Sequence, residues 1–321
     1  MENKKIKIIF IGTPEFGANI LEELIKENFE PSLVITTPDK PVGRKKEITS
    51  PPVKVLAKKY KIKILQPERI IECLNEIEEI KPDLIVVAAY RELIPQKILD
   101  IPKKGSLNVH PSLLPKYRGS SPIQTSILRG EKETGVSIIL MDEKMDHGKI
   151  VSNVKYKISS DNNHEKLSEE LSDLAAKLLI KTIPNWMKGK IKPTPQNDSQ
   201  ATYTKRLKRE DGKIDWGNSA EEIERKIRAF HPWPGTFTEA KIKENSEKKK
   251  IKILKVEIMK QTKICPSGPN GKTFLAPNDK IAVQTGKDFL IVEGFQIEGK
   301  KPTTSKDFLK GNSDFIGTIL D

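Results

Sequence analysis

A chain of 321 residues exceeds the usual size of a single domain and permits two hydrophobic cores. Its formal charge of +13 is spread along the chain with no dominant basic tail, which fits a broad surface for a folded RNA and equally a plain solvated surface. Two cysteines, Cys73 and Cys265, are too few for a disulfide framework, and residues 1–5 form a polar lead without an apolar signal core. No apolar run approaches the roughly 20 residues needed to span a bilayer, so a membrane-embedded chain is excluded and a cytoplasmic monomer is expected.

Apolar strand-like runs at residues 6–11, 33–37, 62–65, 84–89, 105–110 and 136–141 alternate with helical periodicity at 16–27, 52–60, 70–80 and 123–129. That alternation is α/β grammar and predicts a Rossmann-like, mostly parallel sheet with right-handed crossovers. The helical stretch 165–186, with Leu167, Leu171, Ala175, Leu178 and Leu179 as its apolar stripe, closes a domain over residues 1–190. Residues 39–50 are too polar and too punctuated by Gly and Pro for a regular element and read as a mobile loop. Residues 191–206, with two prolines and a polar tail, read as an extended linker. The pattern then changes over 207–321. A helix is predicted at 219–230, with Ser219 as N-cap and Glu222 completing a capping box, followed by strands near 237–242, 251–259, 281–284 and 289–293. These predict a small antiparallel barrel, with the Lys-rich run 247–250 as a solvated hairpin loop.

The chemistry concentrates in residues 108–119, Asn-Val-His-Pro-Ser-Leu-Leu-Pro-Lys-Tyr-Arg-Gly, and in the turn Met145-Asp146-His147-Gly148. Asn108 and His110 are two apart on a strand, so both side chains leave from the same face. An amide N–H can bond an oxyanion, an imidazole carries protons near neutral pH, and a carboxylate such as Asp146 can orient it. The trio suits acyl transfer without a covalent enzyme intermediate. Ser112 has no His-Asp relay arranged for it and is read as a loop residue rather than a nucleophile. Gly12 follows a strand, but Thr13-Pro14-Glu15 lacks the further glycines of a dinucleotide fingerprint, so nicotinamide binding is excluded. His110, His147, His164 and His231 are scattered, which argues against a catalytic metal. His147 is read as an exposed loop histidine without chemistry.

Asn108-Val-His110 running into Ser112-Leu-Leu-Pro115, with Asp146 downstream, resembles the formyltransferases that use 10-formyltetrahydrofolate. Further matching segments follow in the same order: Phe10-Ile-Gly-Thr-Pro-Glu-Phe16, Thr37-Pro-Asp-Lys-Pro-Val-Gly-Arg44, Ser50-Pro-Pro-Val-Lys-Val-Leu56, Ser121-Pro-Ile-Gln124, Glu133-Thr-Gly-Val-Ser137 and Arg228-Ala-Phe-His-Pro-Trp-Pro-Gly235. The similarity runs nearly end to end. It implies transfer of the formyl group of 10-formyltetrahydrofolate to the α-amine of methionyl-initiator tRNA, with Asn108, His110 and Asp146 as catalytic residues. It also implies an oligonucleotide-binding-like fold for the C-terminal barrel, which would bind tRNA. The folate is expected around Ala88, Ala89, Tyr90, Arg91 and Leu93, the turn Ser112, Leu113, Leu114 and Pro115, and Asp142. Arg91 stands where these relatives usually have glycine; it either reaches the glutamate tail of the folate or points to solvent, and solvent is the favoured reading. Arg44, Lys45 and Lys46 would neutralise acceptor-stem phosphates, with Ile48 as an apolar wedge. The alternative is a formyltransferase acting on a small amine, which would share Asn-x-His and the Asp turn. The basic loop, the C-terminal domain and the 228–235 segment favour tRNA. A binding-only RNA protein is disfavoured because all three catalytic residues are present.

Overall fold

The computed structural model describes residues 6–42, 46–243, 246–260 and 268–321. The chain divides into two compact units, one of residues 1–123, 132–159 and 166–205, the other of residues 206–321 together with 124–131 and 160–165.

In the first unit the elements run β1 (Ile8–Gly12), α1 (Glu15–Lys26), β2 (Leu33–Ile35), β3 (Lys40–Val42), β4 (Glu47–Thr49), α2 (Pro52–Lys59), β5 (Ile64–Leu65), α3 (Leu74–Ile80), β6 (Leu84–Ala88), α4 (Gln96–Leu99) and β7 (Ser106–His110). They continue through β8 (Arg118–Gly119), β9 (Glu133–Leu140), β10 (Lys149–Lys157), α6 (His164–Met187) and β11 (Tyr203–Thr204), while α5 (Pro122–Leu128) starts in this unit and has most of its residues in the other. Seven strands form one sheet in the order β10-β9-β7-β6-β1-β2-β5, parallel from β7 to β5, with β9 and β10 antiparallel at the other edge. Every residue of β1, β2 and β6 is buried, as expected where helices cover both faces of a parallel sheet. Gly12 ends β1 because a Cβ there would lie 2.7 Å from the Ala88 carbonyl, so close strand approach explains this glycine without any nucleotide. β10 escaped the sequence reading because its outward residues are Lys149, Asn153, Lys155 and Lys157, which dilute the apolar signal of an edge strand.

Two sequence expectations for this unit are corrected. Of the residues read as a loop over 39–50, 40–42 and 47–49 are regular: β3 and β4 pair antiparallel, Lys40 with Thr49 and Val42 with Glu47, a ladder that Pro41 tolerates because a two-stranded pair leaves one side of each strand free. The hairpin's base is tied down at Asp39, whose carboxylate accepts bonds from Lys54 Nζ at 2.6 Å, Gln66 Nε2 at 2.9 Å and Ser50 Oγ at 3.2 Å. The polar run 191–206 is also not free-running chain. Thr194 and Ile150 exchange both backbone bonds at 2.8 Å, Thr202 bonds the Pro115 carbonyl at 3.3 Å, and β11 pairs parallel with β8. Prolines removed donors from this stretch without removing its acceptors or side chains.

The second unit contains α7 (Ala220–Ala229), β12 (Thr236–Lys241), β13 (Lys248–Met259), β14 (Thr273–Ala276), β15 (Lys280–Gln284), β16 (Phe289–Ile297), β17 (Thr303–Thr304) and α8 (Ser305–Leu309). The predicted capping box is present: Ser219 Oγ accepts the Glu222 N–H at 3.3 Å and Glu222 Oε2 accepts the Ser219 N–H at 2.9 Å. The sheet runs β12-β13-β16-β15-β14, all antiparallel, with β17 beside β16. Its two ends are joined through residues 317–321, since Asp321 exchanges backbone bonds with Glu239 of β12 while Thr273 of β14 bonds Thr318 at 2.9 Å. The sheet thereby closes into a barrel and leaves its end strands covered. Inside it lie Ile223, Ile251, Ile253, Val283, Leu290 and the stacked edge-to-face rings of Phe295, Phe308 and Phe315. The run 247–250 is only partly loop, because Lys248, Lys249 and Lys250 already belong to β13; their charge hid a strand whose inward partners begin at Ile251.

Candidate active site

β7 and β6 are parallel neighbours, with Val87 opposite Asn108 and Ala88 opposite Val109, so Asn108 and His110 emerge at the carboxyl edge of the sheet. His110 is 4% exposed. Its Nε2 bonds the Tyr117 carbonyl at 3.0 Å; a carbonyl only accepts, so this nitrogen carries hydrogen and Nδ1 is the one turned toward Asp146 Oδ1, at 3.5 Å. Asn108 Nδ2 donates to the same Oδ1 at 3.2 Å. The other carboxylate oxygen, Oδ2, accepts the Gly119 N–H at 2.7 Å. The three residues singled out by the sequence are therefore in direct contact, although 38 residues separate Asn108 from Asp146.

The Asp146 backbone is itself unusual, with φ +50° in the left-handed region. Its carbonyl and that of Gly148 each accept a bond from Gln196 Nε2 at 2.8 Å. Gln196 Oε1 in turn accepts from Arg118 Nε at 3.1 Å and Nη2 at 2.8 Å. Arg118 is 2% exposed and also bonds Asp198 at 2.7 Å and the Tyr203 hydroxyl at 3.2 Å. A hydrogen bond from Arg118 holds the Asp198 carboxyl below the usual range against the opposing cost of desolvation, with the Arg118 charge adding to it. Beside Arg118, Gly119 has φ +111°, and a Cβ there would meet the Thr204 carbonyl at 2.7 Å. Sequence reading assigned no role to Arg118, Gly119 or Gln196. The Arg-Gly pair closes the same 108–119 motif, but the Gln196 signal lay in a stretch read as linker.

The expected folate residues divide into three groups. Ala88 ends β6, Ala89 turns the chain with φ +52°, and Tyr90 packs against the core of Ile9, Ile11, Ile85 and Val87. Burial pushes the Tyr90 phenol up to about 12, so it stays neutral near pH 7. Arg91 and Leu93 are both exposed. Ser112, Leu113, Leu114 and Pro115 form a turn directly after His110. It is held by Ser112 Oγ on the Lys116 carbonyl at 2.6 Å, and by Ser137 Oγ bridging the Leu114 N–H at 3.1 Å and the Ser112 carbonyl at 2.8 Å. The Ser112 hydroxyl is thus occupied in the turn. Asp142 lies in the Asp146 loop with its carboxylate 2.6 Å from His147 Nδ1, and His147 Nε2 lies 3.4 Å from Asp198. His147 is therefore a bridge between two carboxylates rather than a merely exposed loop residue. Of the expected tRNA contacts, Arg44 and Lys45 lie outside the described residues, while Lys46 and Ile48 are exposed on the β3–β4 hairpin. Among the described residues no group of three or more His, Cys, Asp or Glu is placed to hold a metal, and no helix is long and apolar enough to cross a membrane.

A mostly parallel α/β sheet that gathers an amide, an imidazole and a carboxylate at its carboxyl edge carries the equipment of a group-transfer enzyme. Residues 4–183 match the family described as formyl transferase, and residues 206–313 match the formyl transferase C-terminal domain. A methionyl-tRNA formyltransferase of Halalkalibacterium halodurans is 41% identical over 319 residues, 98% of each chain. Those of Bacillus velezensis and Bacillus subtilis are 40% and 39% identical over 317 residues, 98% of this chain and 97% of theirs. Among solved structures, an N-formyltransferase of Helicobacter canadensis in complex with folinic acid and dTDP-3-aminofucose superposes with a TM-score of 0.64 at 22% identity, over 89% of this chain and 98% of that one. HypX of Aquifex aeolicus in complex with tetrahydrofolic acid gives 0.63 at 17%, over 96% of this chain and 48% of that one; both likenesses concern the fold. The chain belongs to the formyl transferase family, in its methionyl-tRNA formyltransferase branch.

Proposed function

We propose that this enzyme transfers the formyl group of 10-formyltetrahydrofolate to the α-amino group of methionyl-initiator tRNA in the cytosol, working as a monomer through Asn108, His110 and Asp146. The observation that carries the residue roles is the convergence of an amide and an imidazole on one carboxylate oxygen, at 3.2 and 3.5 Å. The neutral amine attacks the formyl carbon and a C–N bond forms. The carbonyl pair moves to oxygen as the tetrahedral oxyanion, the bond from carbon to folate N10 breaks, and the proton lost by the amine ends on N10. An Asn amide has two N–H groups. One is committed to Asp146, which aims the second at the oxyanion. His110 and Asp146, with Nε2 committed to Tyr117, present the Nδ1–carboxylate pair that relays the proton.

Folate would lie along 88–93 and the 112–115 turn; in that turn the Ser112 and Pro115 carbonyls and the Leu114 N–H are already bonded within the protein, so polar contacts to the pterin would fall chiefly to 88–93. Arg44, Lys45 and Lys46 would meet acceptor-stem phosphates, and the exposed Ile48 would supply the apolar contact. The barrel would contribute further tRNA contacts, a use common among such folds.

The test is formyl transfer from 10-formyltetrahydrofolate to initiator methionyl-tRNA, elongator methionyl-tRNA and small amines such as an amino sugar nucleotide. Turnover on initiator tRNA, weak on elongator tRNA, is expected. Turnover on small amines alone would retain the chemistry and overturn the tRNA assignment.

A further inference from the structure

We propose that Gln196 is a positioning residue for formyl transfer, acting by clamping the Asp146 turn, and that buried Arg118 holds Gln196 for this purpose. The inference rests on the role given above to Asp146. A non-glycine residue at φ +50° persists only where its surroundings over-determine it. Here the over-determination is visible: one amide nitrogen spans the carbonyls of Asp146 and Gly148 at 2.8 Å each. The amide orientation is not arbitrary. Arg118 has donors only, and its Nε and Nη2 both fall on the Gln196 oxygen, so the NH2 group must face the turn.

The same guanidinium reaches Asp198, which faces His147 in the Asp146 loop at 3.4 Å, so the loop is tied to Arg118 at a second point. Arg118 also begins β8, and the next residue is Gly119, whose N–H binds Asp146 Oδ2 at 2.7 Å. Arg118 therefore sets both the backbone and the carboxylate of Asp146. A clamp of this kind leaves substrate affinity alone and acts on how well the carboxylate is aimed, where an error of about 1 Å can cost on the order of 10² in rate.

Gln196→Glu separates positioning from mere support. It keeps the acceptor for Arg118 and turns that contact into an ion pair, but it replaces two donors with oxygen facing two carbonyls. The expected result is a thermal transition near that of the wild type, a single-turnover rate lowered by about 10- to 100-fold, and Michaelis constants for tRNA and folate within about threefold. The variant is then made in an Asp146→Asn background. Because Gln196 acts through Asp146, the added loss there should be less than about twofold. Gln196→Met, which removes the donors without adding charge, should give the same ratio. An undiminished rate in Gln196→Glu, or an equal fractional loss in both backgrounds, would overturn the clamp while leaving the catalytic assignment intact. If Asp146→Asn alone keeps the wild-type rate, the assignment of Asp146 itself fails.

Discussion

His110 binds the Tyr117 carbonyl through Nε2 at 3.0 Å and turns Nδ1 toward Asp146 at 3.5 Å, so one buried ring joins the loop after β7 to the turn after β9. Proton relay through that ring predicts that His110→Ala lowers the single-turnover rate by about 10²–10⁴. The Michaelis constant for folate should change far less. A variant that loses folate affinity and not rate would assign His110 to binding.

Asn108 is the one side chain of the trio with an uncommitted donor in this arrangement. Asn108→Ala should cost about 10²–10³ in kcat while the thermal transition stays close to that of the wild type, because an oxyanion donor acts chiefly in the transition state. Near wild-type turnover in this variant would remove the oxyanion role.

Asp39 gathers Lys54, Gln66 and Ser50 at the base of the β3–β4 hairpin, and bonds from Gln66 and then Lys54 hold its carboxyl below the usual range. The hairpin's proposed contact is tRNA. Asp39→Asn is therefore expected to raise the Michaelis constant for tRNA by about tenfold, the scale of one charge-assisted bond, and to leave that for folate in place. Parallel titrations of the two substrates check this, and equal changes in both would count against it.

His164, at the start of α6, is partly buried, but its Nδ1 is shut away from solvent without a hydrogen-bond partner among the described residues. Burial pushes the imidazole down to about 4, so it is neutral when folded and takes up a proton more readily when unfolded. Between the unfolded value near 6.5 and about 4 the unfolded chain binds more protons, and stability must fall as the pH falls through that window. The loss is at most about 3 kcal/mol. Urea unfolding of wild type and His164→Leu at pH 7 and pH 4.5 measures it. The substituted chain should lose less stability than the wild type on acidification, and identical losses would refute the assignment.

Much of the architecture was legible because it depends on local periodicity. Continuous Ile and Val runs at β1, β2 and β6 mark strands covered on both faces, and Ser219 with Glu222 marks a helix start through a bond pattern that spans only three residues. The same locality placed Asn108 and His110 on one face, and Asp146 could be added from its turn. Elements rich in lysine, such as β10 and the start of β13, were less legible because their solvent-facing residues carry charge and dilute the apolar signal.

By itself, then, the sequence determined the strands and helices with an apolar period, the division into an α/β half and a barrel half, and the trio Asn108, His110 and Asp146 as the candidate site. Only the tertiary structure decided what holds those side chains. Gln196 is 50 residues from the Asp146 carbonyl it binds, and Arg118 is 78 from Gln196. Bonds of that span leave no periodic trace, since each partner is satisfied by a residue whose position depends on the whole fold. A polar stretch after two prolines looks the same in sequence whether it floats in water or is bonded to the Asp146 turn.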